Sequence, residues 1–341
     1  MAKYTINRCN FLKLFGLTIL ASHLPGAAQN NLSPSSIIKP SRLKVGDTVG
    51  LISPAGFVES ETVNELTKIL SEIGLKVKRG KHILDRYGYL AGKDCDRAAD
   101  VNAMFADTSV AGIFTMAGGW GCNRILPLLD YNLIRQNPKI LMGFSDVTSL
   151  ILAIYTKTGI VTFHGPLGTS TWNSFSVKHL QDVLFNGQAN ILKNVPNTPV
   201  ETITTGKVRG HLVGGNLSLV TALVGSGYLP DWEGKILFVE EVREDIYRID
   251  RMLNQLKLSG ILDKIAGFIF AQCTKCTAGE DNQPSLTLQE VFSDCIEPLG
   301  IPAWYGSMIG HIPDKFTLPL GVEVEIDADL GTIQMLESAV I

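Results

Sequence analysis

A serine and an aspartate follow directly after a short apolar run, where the chain is expected to turn. The run Ile140–Met142 ends at Gly143, Ser145 and Asp146 come next, and residues 147–156 carry apolar side chains at helical spacing. This pattern predicts a buried strand that turns sharply into a helix. Such a turn places the Ser145 hydroxyl beside free N–H groups, where the helix dipole favours negative charge. A hydroxyl nucleophile next to an oxyanion site is what acyl transfer requires.

This stretch alone leaves two interpretations open. It is similar to the G-x-S-x-G nucleophile elbow, but Val147 stands where that motif has its last glycine. Ser145 or Asp146 can instead cap the helix, and for an isolated stretch of this kind capping is the more common role. The choice depends on whether the rest of the chain supplies a base and a carboxylate.

Acidic and imidazole side chains occur at other predicted strand ends and loops. Glu240 follows the apolar strand that ends at Val239, and a carboxylate there is either solvated or part of a site. His311 lies in a loop flanked by Gly and Pro, whereas His164 ends a strand that is close to Ser145 in sequence. From the residues alone, Ser145, Glu240 and His311 form one triad among several.

The elements that must position these side chains alternate between strands and helices. In the first half the main predicted elements are 48–53, 59–74, 96–106, 111–116 and 140–142. Their order predicts a parallel sheet with helices on both faces, in which ligands collect beyond the carboxyl ends of the strands. The glycine loop 117–121 and Ser145 both follow such ends, so we expect them to meet.

Composition and local pattern divide the chain into four parts. Residues 1–28 have the basic, apolar and small-residue regions of a secretory signal peptide, so we expect export to the periplasm; without a functional signal the protein would be cytoplasmic. The apolar region is too short to span a bilayer, so we expect no stable membrane insertion of the mature chain. We predict an N-terminal domain at 43–185, a linker at 186–207 and a second domain at 208–341.

Charge and cysteine usage exclude further classes of protein. The formal net charge is −3 and no run of Lys or Arg occurs, so nucleic acid is not an expected partner.

Cys273 and Cys276 have the spacing of a metal or redox pair, but no second Cys/His pair accompanies them. We therefore expect a local disulfide or two free thiols rather than a zinc site.

Several short motifs occur together in a fixed order. They are Gly118-Gly119-Trp120-Gly121, Gly143-Phe144-Ser145-Asp146, 161–166 (VTFHGP), 214–217 (GGNL), Val239-Glu240, 247–253 (YRIDRML), Gly310-His311 and 317–321 (TLPLG). By these motifs the chain, from about Thr48 to about Gly321, resembles the LD-carboxypeptidase family of serine peptidases. Each motif is weak singly, and their joint order makes the resemblance specific.

The resemblance implies a fold, a set of site residues and no cofactor. The implied fold is α/β: a Rossmann-like, parallel-sheet N-terminal domain and a smaller α/β C-terminal domain, with the active site in the cleft between them. Ser145 would be the nucleophile, and Glu240 and His311 would complete the triad. Backbone N–H groups of Asp146 and Gly119 would form the oxyanion hole. The family chemistry requires no metal and no organic cofactor.

The resemblance also implies an activity and its rivals. A murein tetrapeptide carboxypeptidase cleaves the L,D bond before the terminal D-alanine of peptidoglycan tetrapeptides through an acyl-enzyme, and the resemblance implies a homodimer. The alternative within the family is a microcin-immunity-type peptidase that acts on peptide–nucleotide conjugates. From another class, a non-catalytic periplasmic solute-binding protein would share the two α/β lobes.

One position departs from the family pattern. Ala117 precedes the glycine pair where an Arg often stands in the family. If that Arg holds a substrate carboxylate, Arg124 or Arg248 are the candidates to do so here. Either can equally form a surface ion pair of little consequence.

Overall fold

The computed structural model describes residues 36–278 and 284–341, which form two sheets with helices packed against them. The signal peptide predicted at residues 1–28 lies outside the described residues. Within the described ranges, none of the helices combines the length and apolar character needed to cross a bilayer.

The secondary structure follows the predicted alternation of strands and helices. The strands are β1 Thr48–Ile52, β2 Lys76–Arg79, β3 Val110–Thr115, β4 Ile140–Gly143, β5 Thr162–His164, β6 Ile191–Lys193, β7 Glu201–Thr204, β8 Lys207–Asn216, β9 Ile236–Val242, β10 Gly267–Thr274, β11 Ala303–Ser307, β12 Leu318–Leu320, β13 Glu323–Asp327 and β14 Thr332–Met335. The α-helices are α1 Ser60–Glu72, α2 Asp94–Ala106, α3 Cys122–Ile125, α4 Tyr131–Gln136, α5 Thr148–Thr158, α6 Ser174–Leu184, α7 Leu217–Ala222, α8 Ile246–Leu258 and α9 Leu288–Cys295.

The first sheet carries the predicted nucleophile. Its strand order is β12-β5-β4-β3-β1-β2, and all neighbours are parallel except the antiparallel pair β12 and β5. Every residue of β4 is buried, which is typical of a strand inside a parallel sheet covered on both faces. The α/β class and the parallel sheet predicted from the sequence are thus confirmed.

Helix α5 begins just after Ser145 and is buried on nearly every side. Its residues contact β4 and β5 of the first sheet and also β8 and α7 of the second half. This position explains why buried residues lie on all sides of the helix rather than on one face, with only Lys157 exposed near its end. The helix therefore joins the nucleophile turn to both halves of the molecule.

The second sheet has the order β6-β14-β13-β8-β9-β10-β11-β7. Strands β8 to β11 are parallel neighbours, and antiparallel strands complete both sides. The segment 186–207, predicted as a linker, contains β6 and β7, which form the two opposite edges of this sheet. Short, exposed edge strands with polar residues lack the apolar pattern of inner strands, so the sequence pattern favoured a loop there. The domain boundary itself stays a prediction.

Candidate active site

Ser145 lies on a strained turn between β4 and α5. Its φ is +61°, a left-handed conformation that is uncommon for a residue other than glycine. The side chains of Thr115 and Val147 fill the space that a Cβ on Gly143 would need, so only glycine fits before the turn. The turn directs the Ser145 side chain towards the second half of the chain.

The structure brings the three predicted triad side chains together. His311 Nε2 lies 3.2 Å from Ser145 Oγ, and His311 Nδ1 lies 2.7 Å from Glu240 Oε2. Glu240 is fully buried within β9, which continues to Val242 instead of ending at Val239, whereas 22% of the His311 side chain is exposed. The imidazole can therefore exchange a proton with the serine hydroxyl while the carboxylate fixes its orientation.

Glu240 is held ionised by its partner. Burial alone would raise the pKa of Glu240. The hydrogen bond from His311 and the electrostatic interaction with the same ring outweigh burial and hold the pKa below its usual value. Gly310, with φ of +97°, lies against this carboxylate: an added Cβ would come within 2.8 Å of Glu240 Cδ. The glycine before His311 is thus required for the close approach of the loop to β9.

The glycine loop reaches Ser145, as predicted. A Cβ added to Gly118 would lie 2.7 Å from Ser145 Oγ and 3.4 Å from Asp146 N. Gly119 follows with φ of +99°, a conformation that favours glycine. Gly118 and the Asp146 N–H therefore lie next to the serine hydroxyl, and an oxyanion hole formed by the N–H groups of Gly119 and Asp146 stays a prediction.

The Asp146 carboxylate has a second role that the sequence did not reveal. Its Oδ2 accepts a 2.8 Å hydrogen bond from the Cys122 N–H, at the start of α3 and directly after the glycine loop. Asp146 is only 3% exposed, and burial raises the pKa of its carboxyl group. The side chain thereby ties the glycine loop to the nucleophile turn.

A buried arginine supports the same loop. Arg97, on α2, donates from Nη1 to the carbonyl oxygens of Gly121 and Pro54 and pairs with Asp94 at 2.6 Å. Sequence reasoning missed Arg97 because it lies in an ordinary helical pattern. Arg124, a candidate for the substrate carboxylate, forms three hydrogen bonds of 2.8–3.1 Å with the same Asp94.

The other candidate cation is also engaged in ion pairs. Arg248 lies 3.5 Å from Glu244 and 3.4 Å from Asp245, on the surface at the start of α8. Neither arginine is therefore a free cation in this structure.

His164, the competing histidine, does not join the triad. It ends β5, is 1% exposed, and neither ring nitrogen has a hydrogen-bond partner among the described residues. Burial lowers the pKa of His164 to about 4, so the ring is neutral at physiological pH. Its ring lies 5.5 Å from that of Phe144, which in turn lies 4.8 Å from the His311 ring.

Two further groups lie outside the triad. Cys273 and Cys276 form a disulfide, one of the two predicted alternatives, and Thr274 between them donates a 2.9 Å hydrogen bond to the His311 carbonyl oxygen. In the described part of the chain, the group whose ligand atoms lie close enough to hold a metal ion is His82, Asp85 and Asp96. His82 and Asp85 lie between β2 and α2, Asp96 lies in the first turn of α2, and the group includes no triad residue.

Comparison with known proteins places this geometry in a family. Residues 49–165 match the LD-carboxypeptidase N-terminal domain, and residues 209–326 match the LD-carboxypeptidase C-terminal domain. The chain is 38% identical to the probable murein peptide carboxypeptidase of Bacillus subtilis (strain 168), over 85% of this chain and 91% of the relative. It is 32% identical to the microcin C7 self-immunity protein MccF of Escherichia coli, over 86% and 94%.

A solved structure shows the same architecture. The crystal structure of muramoyltetrapeptide carboxypeptidase from Oxalobacter formigenes superposes with a TM-score of 0.75 at 27% identity, covering 84% of this chain and 97% of that one. The similarity therefore extends over both halves of the described fold.

Proposed function

The chain belongs to the LD-carboxypeptidase family and is a serine-type carboxypeptidase, and we propose that it removes the terminal D-alanine from peptidoglycan tetrapeptides. The bond cleaved is the L,D bond between the preceding diamino acid and D-alanine. The single observation that supports this proposal best is the hydrogen-bonded series from Ser145 through His311 to Glu240, with Gly118 packed against the serine hydroxyl.

The proposed mechanism follows from these contacts. His311 Nε2 accepts the hydroxyl proton as Ser145 Oγ bonds to the scissile carbonyl carbon, and Glu240 stabilises the imidazolium through Nδ1. The Asp146 and Gly119 N–H groups stabilise the oxyanion, each by on the order of 3 kcal/mol in the transition state. His311 then protonates the departing amine of D-alanine, and water hydrolyses the acyl-enzyme by the same base.

The two alternatives differ in how well they fit. A microcin-immunity-type reaction has the support of the 32% identity to MccF. The segment 186–207 contains no aromatic residue to stack on a nucleobase, which favours the wall peptide. The solute-binding alternative is wrong, because the family is one of peptidases.

Product analysis by mass spectrometry tests the proposal. Wild-type protein, Ser145→Ala and the control Ser109→Ala, which changes an exposed serine hydroxyl, are each incubated with a disaccharide tetrapeptide. We expect the wild type and Ser109→Ala to release one alanine, and Ser145→Ala to release none. Cleavage by a folded Ser145→Ala variant would refute the nucleophile. Cleavage of a peptide–nucleotide conjugate but not of the tetrapeptide would refute the substrate.

We also infer that residues 1–28 direct export and are then removed. The basic residues Lys3, Arg8 and Lys13, the apolar run after them and the small residues at 26–28 support this inference. N-terminal sequencing of the protein recovered from a periplasmic extract would begin near residue 29. Recovery of the uncleaved chain from the cytoplasm would contradict it.

A further inference from the structure

A histidine lies between two aspartates near the start of α2. Asp85 Oδ2 is 2.7 Å from His82 Nδ1, and Asp96 Oδ1 is 4.0 Å from His82 Nε2. One ligand atom from each of the three residues lies within 4.8 Å of the other two. These three residues, called the His82 group below, include no part of the triad.

The two ring nitrogens of His82 face carboxylate oxygens at very different distances. A carboxylate only accepts hydrogen bonds, so the hydrogen of the 2.7 Å bond to Asp85 is on Nδ1. In the neutral ring, Nε2 then faces Asp96 with a lone pair. Even from a charged ring, 4.0 Å is too long for a hydrogen bond. A lone pair and a carboxylate oxygen that face each other repel unless a cation lies between them.

The gap between His82 Nε2 and Asp96 has the length that a zinc-class ion needs. Zinc binds imidazole nitrogen at about 2.0–2.1 Å and carboxylate oxygen at about 2.0–2.2 Å. An ion between the two atoms, which are 4.0 Å apart, therefore lies at bonding distance from both. A tetrahedral angle would bring the two ligand atoms to about 3.4 Å, a closure of roughly 0.6 Å. Rotation of the Asp96 side chain, which is 34% exposed, can supply this closure.

The His82 ring is held in place from the other side. Asp85 binds Nδ1, as the outer carboxylate does in carboxylate–histidine–metal arrangements. The His82 backbone N–H donates a 2.9 Å hydrogen bond to Asp100 Oδ2, and Asp100 is only 5% exposed. The Asp85 side chain packs against Gly92, where an added Cβ would lie 2.9 Å from Asp85 Cβ. The histidine and its outer carboxylate are therefore fixed, and only Asp96 has to move.

The negative charge of the His82 group is not balanced by a basic side chain. In residues 36–278 and 284–341, neither of its aspartates forms an ion pair with a lysine or an arginine. The nearby arginines are paired elsewhere: Arg86 lies 3.5 Å from Glu59, and Arg97 and Arg124 both pair with Asp94. A divalent cation would balance the two carboxylates of the group.

We propose that His82 Nε2 and Asp96 Oδ1 bind a divalent transition-metal ion of the zinc class, with Asp85 positioning the histidine and water completing the coordination. Imidazole together with carboxylate suits zinc, whereas magnesium and calcium prefer oxygen ligands alone. The ion ties the segment between β2 and α2 to the first turn of α2. Arg97, which donates to the Gly121 carbonyl oxygen of the glycine loop, follows Asp96 directly in this helix. The site is thus structural and supports the helix that holds the glycine loop.

Isothermal titration with Zn²⁺ alone tests the site. His82→Gln and Asp96→Asn each remove a direct ligand, and Asp85→Asn removes the positioning charge. His211→Gln is the matched control, because it removes a histidine of β8, outside the group. Cys95→Ser is included because the Cys95 thiol is exposed and lies 3.6 Å from Asp96 Oδ1. Circular dichroism and thermal melting without metal confirm that each variant is folded.

We expect the wild type to bind Zn²⁺ at the His82 group and to bind Mg²⁺ and Ca²⁺ far more weakly. Loss of either direct ligand should lower the Zn²⁺ affinity by at least about a hundredfold, and Asp85→Asn should lower it by about tenfold. His211→Gln and Cys95→Ser should match the wild type. Zn²⁺ should raise the melting temperature of the wild type but not that of His82→Gln, because only a folded site binds the ion.

Several results would overturn the proposal. Equal Zn²⁺ affinity of the wild type and folded His82→Gln would do so, as would binding of Mg²⁺ as tight as that of Zn²⁺. Loss of binding in Cys95→Ser but not in Asp96→Asn would place the ion on the thiol and refute the ligand set. If His82→Gln does not fold, unchanged affinity in Asp96→Asn refutes the site. The titration uses no substrate, so its outcome is independent of the proposed peptidase reaction.

Discussion

Replacing Gly118 with alanine should lower the activity roughly a hundredfold without unfolding the protein. Gly118 does not adopt a positive φ, so alanine fits the backbone. The added Cβ would lie 2.7 Å from Ser145 Oγ, whereas ordinary contacts begin at 3.4 Å, so the hydroxyl must move by at least about 0.7 Å. Misplacement of a reacting group by about 1 Å lowers rates roughly a hundredfold, equivalent to about 2.7 kcal/mol of activation free energy.

Gly46→Ala is the matched control, with the opposite expected outcome. Gly46 has φ of +94° and no atom within 4 Å of an added Cβ. Alanine there should lower the unfolding free energy by about 1–2 kcal/mol through backbone strain and leave activity unchanged. The assays are kcat/KM for the tetrapeptide, the fluorophosphonate labelling rate and thermal melting. A Gly118→Ala variant with activity within threefold of wild type would refute the reasoning.

Three further predictions concern residues around the triad. His164 is neutral when folded and has a pKa of about 4 instead of 6.5, so the unfolded chain binds more protons between those values, and stability falls as pH drops from about 6.5 to 4. Denaturant titrations at several pH values should show that the unfolding free energy of His164→Gln falls less steeply with decreasing pH than that of the wild type. Equal slopes of unfolding free energy against pH would contradict the assigned effect of burial on His164. Asp146→Ala leaves the buried Cys122 N–H unpaired and should cost about 1–3 kcal/mol of stability and at least about tenfold in activity. Asp146→Asn, which keeps an acceptor, should recover most of the stability, and equal losses in both variants would exclude this role. Replacing Cys273 and Cys276 by serine removes the cross-link beside the contact to His311 and should cost at most about 2 kcal/mol. Dithiothreitol should slow turnover by the wild type but not by the double variant. A wild type that is insensitive to dithiothreitol would refute a link between the disulfide and the position of His311.

The sequence predicts those features that depend on local pattern. Buried strands such as β4 and amphipathic helices such as α1 are encoded in runs and spacings, so their predicted bounds agree with the structure to within one or two residues. The glycine loop 117–121 is predicted to meet Ser145, and the structure shows that Gly118 packs against the serine side chain. For the triad, the residues left several choices open, and only the resemblance selected His311 over His164.

Other features depend on contacts between distant parts of the chain and have no local signature. β6 and β7 read as a polar linker because edge strands need little apolar surface. Arg97 and Lys315 are buried cations, and the sequence around them gives no sign of the groups that they contact. The second role of Asp146 depends on α3 lying next to the nucleophile turn, a contact between residues 24 positions apart.

The pairing of β12 with β5 has a consequence for how the molecule is made. Leu318–Leu320 form β12, the outermost strand of the sheet that carries Ser145, and pair with β5. β12 follows β5 by more than 150 residues in the sequence, so it is synthesised long after β5. Until these residues have joined the sheet, β5 presents an unpaired edge and His311 has no fixed place. A nascent or truncated first half therefore exposes a strand edge prone to intermolecular pairing. The contacts of His311 with Ser145 and Glu240 therefore form only after nearly the whole chain has been made.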